Sequence, residues 1–240
     1  MTYRQIIARL KRMANPRNVA GMERFGINTK RALGISVDDL RKLVGAIGKD
    51  HDLAQRLWKS GIHEARMLAA FVDEPERITG RQLERWVNDF DSWDICDQVS
   101  GLFERTPLGR EKIPAWARNG REFVKRTAFA MIAGLAVHDK IAHDRQFERY
   151  LQIIKRAATD ERNFVKKAVN WALRGIGKRN QALNQRAIAV AREIKAIDSR
   201  AARWIAADAL RELTSSAVQK RLAERRKPSA RSVDSADGQL

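Results

Sequence analysis

Apolar side chains recur along most of the chain at the three- and four-residue spacing of amphipathic helices. Between residues 163 and 178, for example, one face of a helix would carry Val165, Val169, Ala172 and Ile176. No convincing run of alternating β-branched residues predicts a strand. We therefore expect an all-α protein.

Capping residues divide this pattern into segments. Ser36, Thr79 and Ser199 each precede a helical segment, and their side-chain oxygens can accept hydrogen bonds from free backbone amides. Gly48, Gly175 and Gly177 are among the candidate helix ends, because glycine readily adopts the backbone conformation that closes a helix.

The segments recur at a steady interval. Helix pairs are predicted to begin near Ser36, Thr79, Arg121, Glu161 and Asp198. A two-helix unit of roughly 40 residues is the period of HEAT and armadillo repeats. We therefore expect a curved, right-handed superhelical solenoid of HEAT-like helix pairs with a concave basic face. The alternative is an irregular all-α globule.

Charge points to the class of partner. The 240 residues include 47 Lys and Arg against 29 Asp and Glu, a net charge of +18. Residues 217–240 contribute six basic and three acidic side chains, so +15 belongs to the rest of the chain. An excess of this size favours a polyanion such as nucleic acid. We expect one repeat domain over residues 1–216 and a basic, largely disordered tail over 217–240.

Composition excludes several other classes. Cys96 is the single cysteine, which rules out an internal disulfide framework and a zinc-finger cluster. Its place at the edge of a predicted core stripe suggests a packing role. The four histidines form no ligand cluster, so neither a metal nor an organic cofactor is predicted. No apolar run is long enough to span a membrane, and no signal peptide is evident. We expect a cytoplasmic, nucleoid-associated monomer without membrane contact.

Two helix edges combine tryptophan with basic residues. In the segment from residue 163, the face of Trp171 also carries Lys167, Arg174 and Lys178, away from the apolar stripe. An indole beside cations suits a phosphate backbone with a sugar or base packed on the ring. The alternative is a boundary tryptophan among solvated lysines.

The segment from residue 198 repeats this arrangement. Trp204 shares its face with Arg200, Arg203 and Arg211, while the apolar residues face inward. A positive stripe along consecutive repeats would fit a duplex backbone better than a compact ligand. All of these cations are candidate DNA-binding residues.

An aromatic ring and a carboxylate also project together. Trp93 and Asp97 are i,i+4 neighbours, and both lie off the stripe formed by Ile95 and Val99. A carboxylate opposes DNA binding, so a catalytic or specificity role would explain it; simple exposure or an arginine partner is the alternative.

Arg126 begins a helix that is apolar nearly all round, so it needs an anionic partner. That partner is Asp97 or a phosphate, and a purely structural ion pair is the alternative.

The sequence resembles the AlkD-like DNA alkylation repair glycosylases, a family built of HEAT-like repeats. The resemblance covers residues 1 to about 215 and implies a catalytic Asp97, Trp93 beside it, a DNA-facing Trp171 and a functional Arg126, with no departure at these positions. It is carried by four stretches: Thr29–Arg41, Ser92–Gln98, Glu122–Ala128 and Asn163–Arg174.

The activity that this resemblance implies is excision of cationic N3- and N7-alkylated purines, such as 3-methyladenine and 7-methylguanine, from duplex DNA without a cofactor. The family is thought to leave the base stacked, and the residues alone leave base flipping open. The alternative is a non-catalytic HEAT-repeat protein that binds DNA structures or acidic partners. A lyase or an RNA-binding protein finds weaker support, because no lysine is singled out and no RNA motif is visible.

Overall fold

A computed structural model describes residues 1–226 of the chain. Within this range the chain forms α-helices, one short 3₁₀ helix and no β-strand. The helices are α1 Tyr3–Arg12, α2 Pro16–Glu23, α3 Val37–Ile47, α4 His51–Lys59, α5 His63–Val72, α6 Gly80–Asn88, α7 Trp93–Phe103, α8 Pro107–Trp116, α9 Glu122–His138, α10 Asp144–Ala157, α11 Asn163–Gly177, α12 Gln181–Lys195, α13 Arg200–Leu213 and α14 Ser216–Arg226.

The helices from α3 onward form two layers. Consecutive odd-numbered helices from α3 to α13 pack side by side, whereas even-numbered helices lie behind them, with α10 against α12 and α12 against α14. Each helix pair thus contacts the pairs before and after it, as in an α-solenoid. The predicted all-α solenoid of HEAT-like pairs is confirmed.

The predicted repeat interval is right only in the second half of the chain. There the pairs begin with α9, α11 and α13, close to the predicted starts at Arg121, Glu161 and Asp198. In the first half the predicted starts enclose three helices each, because α3 to α8 are short. The pairs there begin with α3, α5 and α7, and Thr79 caps α6, the second helix of its pair.

Local sequence explains most of the helix ends. The side chains of Ser36, Thr79 and Ser199 accept hydrogen bonds from amides of the first turn, as expected. Gly48 ends α3 with a φ of 81°. Of the two candidate ends in α11, Gly177 is the last helical residue and Gly175 lies inside the helix. Gly175 faces α9, where a Cβ would lie at an ordinary van der Waals distance, 3.6 Å, from backbone atoms of Ala133.

The core runs through both layers and is densest around α9. This helix packs against α7, α8 and α11, and almost all of its side chains from Thr127 to Ala136 are buried. Nearer the N-terminus, the buried Trp58 and Trp86 stack with ring centroids 4.0 Å apart and planes within 4°. The Trp58 indole also donates a hydrogen bond to Asp89. The core faces predicted for α7, α11 and α13 are all buried.

The C-terminal helix corrects the predicted domain boundary. Residues 217–226, which the sequence suggested were part of a disordered tail, belong to α14. Val218 and Leu222 lie on one helical face and are buried, and α14 packs against α12 and α13. High charge density concealed this short apolar stripe. The remainder of the predicted tail, residues 227–240, lies outside the described residues.

Candidate functional site

Helix α7 presents Trp93 and Asp97 on the side opposite its core face. Ile95 and Val99 are fully buried, whereas Trp93 and Asp97 are partly exposed. The i,i+4 spacing places the indole and the carboxylate next to each other at the surface of the odd-numbered layer. The projection predicted from the sequence is therefore observed.

Arg126, on the neighbouring helix α9, is the partner of Asp97. Its Nε and Nη2 donate to the two carboxylate oxygens of Asp97 at 2.8 and 2.7 Å, a bidentate contact. Its Nη1 donates to the carbonyl oxygen of Phe164 on α11, at 2.6 Å. The arginine is only 5% exposed. Of the two anionic partners considered, the structure shows Asp97, and three adjacent helices of one layer meet at this point.

The ionisation of the pair follows from its surroundings. Burial raises the pKa of Asp97, and the hydrogen bonds from Arg126 oppose that rise. Burial also opposes the charge on Arg126, but the contact with Asp97 outweighs it and raises the arginine pKa. The adjacent Cys96 is fully buried, and burial raises the pKa of its thiol to about 12, which fits the packing role predicted for it.

The Trp93 ring lies beside the ion pair and is itself held by a distant segment. The guanidinium carbon of Arg126 lies 5.5 Å from the ring centre of Trp93. The Trp93 indole donates a hydrogen bond to the carbonyl oxygen of Phe25, at 2.9 Å, and the Phe25 ring itself is 70% exposed. Side-chain patterns do not reveal Phe25 or Phe164, because both reach the site through backbone carbonyls from distant segments.

A buried histidine supports the first turn of α7. The Nε2 of His63 lies 2.8 Å from the carboxylate of Asp94, which also accepts from the Ser92 hydroxyl and the Ile95 amide. Burial lowers the pKa of His63, but the contact with Asp94 outweighs it and the net shift is upward. This contact fixes the helix start that carries Trp93.

Trp171 lies apart from the ion pair. It is 37% exposed on α11, about two turns beyond Phe164, which corresponds to roughly 10 Å along the helix. It lines a surface groove with Lys178. The structure thus brings Asp97, Trp93 and Arg126 together and places Trp171 further along the same layer.

Two predicted DNA-binding cations on α11 are paired with carboxylates of α13. Arg174 contacts Glu212 at 2.6 Å and Asp208 at 3.3 Å, and Lys178 contacts Glu212 at 2.6 Å. These side chains are about 30% exposed. The sequence suggested an unopposed positive edge; the facing acids were overlooked because they lie on the next repeat.

The remaining predicted cations are closer to solvent. Lys167 and Arg200 are exposed, Arg203 pairs with Asp198, and Arg211 pairs with Asp208. Trp204 is 41% exposed, and Lys166, which the sequence reading missed, lies over its ring at 5.3 Å.

Two further features bear on the chemistry available. Among residues 1–226, no group of three or more His, Cys, Asp or Glu side chains is placed to hold a metal ion. In the same range, no helix has the length and apolar character needed to cross a membrane.

Comparison with known proteins identifies relatives of this fold. Among solved structures, one with 16% sequence identity and a TM-score of 0.74 aligns over 88% of this chain and 95% of its own; it is described as a new family of proteins related to the HEAT-like repeat DNA glycosylases, with affinity for branched DNA structures. A designed armadillo repeat protein aligns over 72% of this chain and 91% of its own, at 16% identity and a TM-score of 0.34.

No curated protein matches this chain. A sequence model described as DNA alkylation repair enzyme matches residues 6–223. This match covers most of the chain, including Asp97, Arg126 and the whole of the solenoid up to α14. The chain therefore belongs to the DNA alkylation repair enzyme family.

Proposed function

We propose that the protein is a monofunctional DNA glycosylase that hydrolyses the N-glycosidic bond of cationic N3- and N7-alkylated purines in duplex DNA. The observation that carries this proposal is the Asp97 carboxylate, held by Arg126 beside the Trp93 indole at the surface of a basic protein. A carboxylate at a DNA-binding face repels the phosphate backbone, and a role in the chemistry would account for its position there.

Bond cleavage needs little help at the base. An alkylated purine already carries a positive charge, and the electron pair of the breaking bond neutralises it as the base leaves. Positive charge then develops on the deoxyribose, where a nearby carboxylate stabilises it. Water adds at C1′ and transfers its proton to the carboxylate or to solvent. The indole face of Trp93 favours the cationic base and sugar by about 0.5–2 kcal/mol.

Arg126 acts on this chemistry by positioning the carboxylate. Its bidentate contact uses one lone pair on each oxygen of Asp97 and leaves others free for the sugar or the water. The hydrogen bond to the Phe164 carbonyl fixes the guanidinium in turn. No metal or organic cofactor has a place in this reaction.

Duplex DNA is the partner that this function requires. The exposed Lys167 and Arg200, with Trp171 and Trp204 on adjoining helices, are placed to follow a phosphate backbone. We expect Arg174, Lys178, Arg203 and Arg211 to contribute less, since each is already paired with a carboxylate. We further propose that the protein acts as a monomer on nucleoid DNA in the cytoplasm.

The direct test measures free bases. Purified protein is incubated with methylated duplex DNA, and release of 3-methyladenine and 7-methylguanine is followed by chromatography. We expect both bases, and no covalent adduct on borohydride treatment, because a hydrolase forms no Schiff base. Release of neither base, or a trapped adduct, would contradict the proposal.

A second candidate function is binding of branched DNA without excision. It is favoured by the similarity in fold to a protein with affinity for branched DNA. Four-way junctions and matched linear duplexes are compared in the same binding assay. A preference for junctions together with no base release would support this candidate over the glycosylase.

A further inference from the structure

A basic groove lies at the ends of α9 and α11, beyond Trp171. We call it the α14 groove, because α14 forms one wall; its volume is about 730 Å³. Its lining includes the exposed Trp171 indole and five cations: Lys140, Lys178, Arg179, Arg221 and Arg225.

The positive charge of the groove is poorly balanced. Within residues 1–226, Lys178 is the one groove cation paired with a carboxylate, that of Glu212. The side chains of Lys140 and Arg221 are exposed and make no hydrogen bond or ion pair with any residue in this range. The one acidic lining residue, Asp144, accepts hydrogen bonds from Asn180. Like charges gathered in this way repel one another unless an anion binds between them.

Backbone carbonyls hold two of these cations in place. Arg179 donates to the carbonyls of Ala136 and Ala142 near the end of α9. Arg225 donates to the carbonyls of Lys178 and Arg179 just after α11. Both arginines thus lie near the C-terminal ends of helices, where the helix dipole favours positive charge. Neither pairs with a carboxylate within residues 1–226.

The α14 wall is anchored to the rest of the solenoid. Val218 and Leu222 are buried, and the Gln219 amide donates to the Asn184 side chain and to the Leu213 carbonyl. The anchored helix therefore fixes the backbone positions of Arg221 and Arg225 at the groove. Binding an anion here requires ordering of exposed side chains but little ordering of the backbone.

We propose that the α14 groove binds the phosphodiester backbone of a DNA strand that flanks the alkylated nucleotide, with the adjoining sugar or base against Trp171. Helices α9 and α11 run in the same direction, since Arg126 meets Phe164 at their starts and Ala136 meets Gly175 towards their ends. From Arg126 to Val137 is roughly 16 Å along α9. With the duplex axis parallel to α9, a rise of about 3.4 Å per base pair places the groove at phosphates about five base pairs from the lesion.

This proposal rests on the proposed function, which supplies DNA as the ligand and places the alkylated nucleotide beside Asp97. The test variant is Lys140→Gln/Arg221→Gln, which breaks no contact within the described residues. The matched control is Arg149→Gln/Arg192→Gln, which removes the same charge from exposed positions outside the groove. Affinity for duplex DNA is measured over a range of salt concentrations, and excision is measured in single turnover with protein saturating.

Two lost phosphate contacts should lower the salt slope of log affinity by about 1.8 in the groove variant. The control should change it much less. DNA cut to about two base pairs on the groove side of the lesion, short of the five-base-pair reach, should weaken binding by wild type more than binding by the groove variant, which keeps Arg179 and Arg225. Cutting the opposite side should weaken both proteins equally.

The excision rate constant at saturation should remain unchanged, because neither residue touches Asp97. Equal slopes for the groove and control variants, or equal sensitivity of wild type and groove variant to both truncations, would overturn the proposal. The salt slopes, measured on unmodified duplex DNA, keep their meaning even if wild type releases no base. Failure of the glycosylase proposal and failure of the groove proposal are therefore distinguishable.

Discussion

Two arginine–carboxylate contacts join neighbouring helices of the odd-numbered layer, and they differ in their surroundings. Arg126 and Asp97 link α9 to α7 with side chains 7% and 14% exposed. Arg174 and Glu212 link α11 to α13 with side chains 30% and 28% exposed, and share the carboxylate with Lys178. The first pair lies beside the Trp93 ring, and the second lies on a more exposed edge. The same type of ion pair thus forms a candidate reaction centre in one repeat and part of a surface ion network two repeats later.

The largest expected difference between these pairs is in excision. Asp97→Asn should lower the single-turnover rate of 7-methylguanine release at least about 100-fold, because the developing charge on the sugar loses its carboxylate. Duplex binding should survive, since one negative charge is removed from a basic surface. Glu212→Gln is the matched control and should leave the rate within a few-fold of wild type. Undiminished excision by Asp97→Asn would remove this residue from the mechanism.

Stability should separate the pairs next. Arg126→Met leaves the Asp97 charge buried without a partner and should cost about 3–5 kcal/mol of unfolding free energy. Arg174→Met leaves its carboxylates within reach of Lys178 and solvent, and should cost less than about 1 kcal/mol. Urea unfolding followed by far-UV circular dichroism measures both. Equal losses would show that burial does not distinguish the two contacts.

The smallest expected effect is a difference in pH dependence. Burial raises the pKa of Asp97. Burial also acts to raise the pKa of Glu212, but Lys178 and Arg174 outweigh it and hold the pKa below its usual value. As pH falls, Asp97 is protonated first and excision declines, whereas the stability contributed by ionised Glu212 is lost only at lower pH.

An acidic interval should therefore exist in which the protein is folded and reversibly inactive. Excision rates, corrected for spontaneous depurination, and circular dichroism are recorded over the same pH series. Activity that declines only as the helical signal is lost would contradict this order of protonation.

Helical periodicity was sufficient to predict the faces of α7, α11 and α13, because burial of an apolar stripe is a local consequence of sequence. It also identified Arg126 as a buried cation in need of an anion. Pairing across repeats was harder to foresee. Asp208 and Glu212 neutralise Arg174 only because α13 packs beside α11. The periodicity of a single helix shows which side chains share its face but not which side chains of the next helix lie opposite them.

The remaining differences have similar causes. The early repeats are short, so a constant interval merged three helices into one unit. Helix α14 was overlooked because its average composition is charged, while two side chains, Val218 and Leu222, are enough to dock it. Phe25 and Phe164 act through backbone carbonyls, which side-chain identity does not reveal. The tertiary contacts that complete the candidate site are thus the part that sequence patterns encode least directly.

The stacked Trp58 and Trp86 give the N-terminal repeats an optical signature of their own. The two parallel indoles lie 4.0 Å apart, close enough for their electronic transitions to couple. Trp171 and Trp204, by contrast, are open to solvent quenchers in the C-terminal repeats. Repeat arrays need not melt as a single unit. Near-ultraviolet circular dichroism and quenching of tryptophan fluorescence can therefore report the order in which the two halves of the solenoid unfold, without an added label.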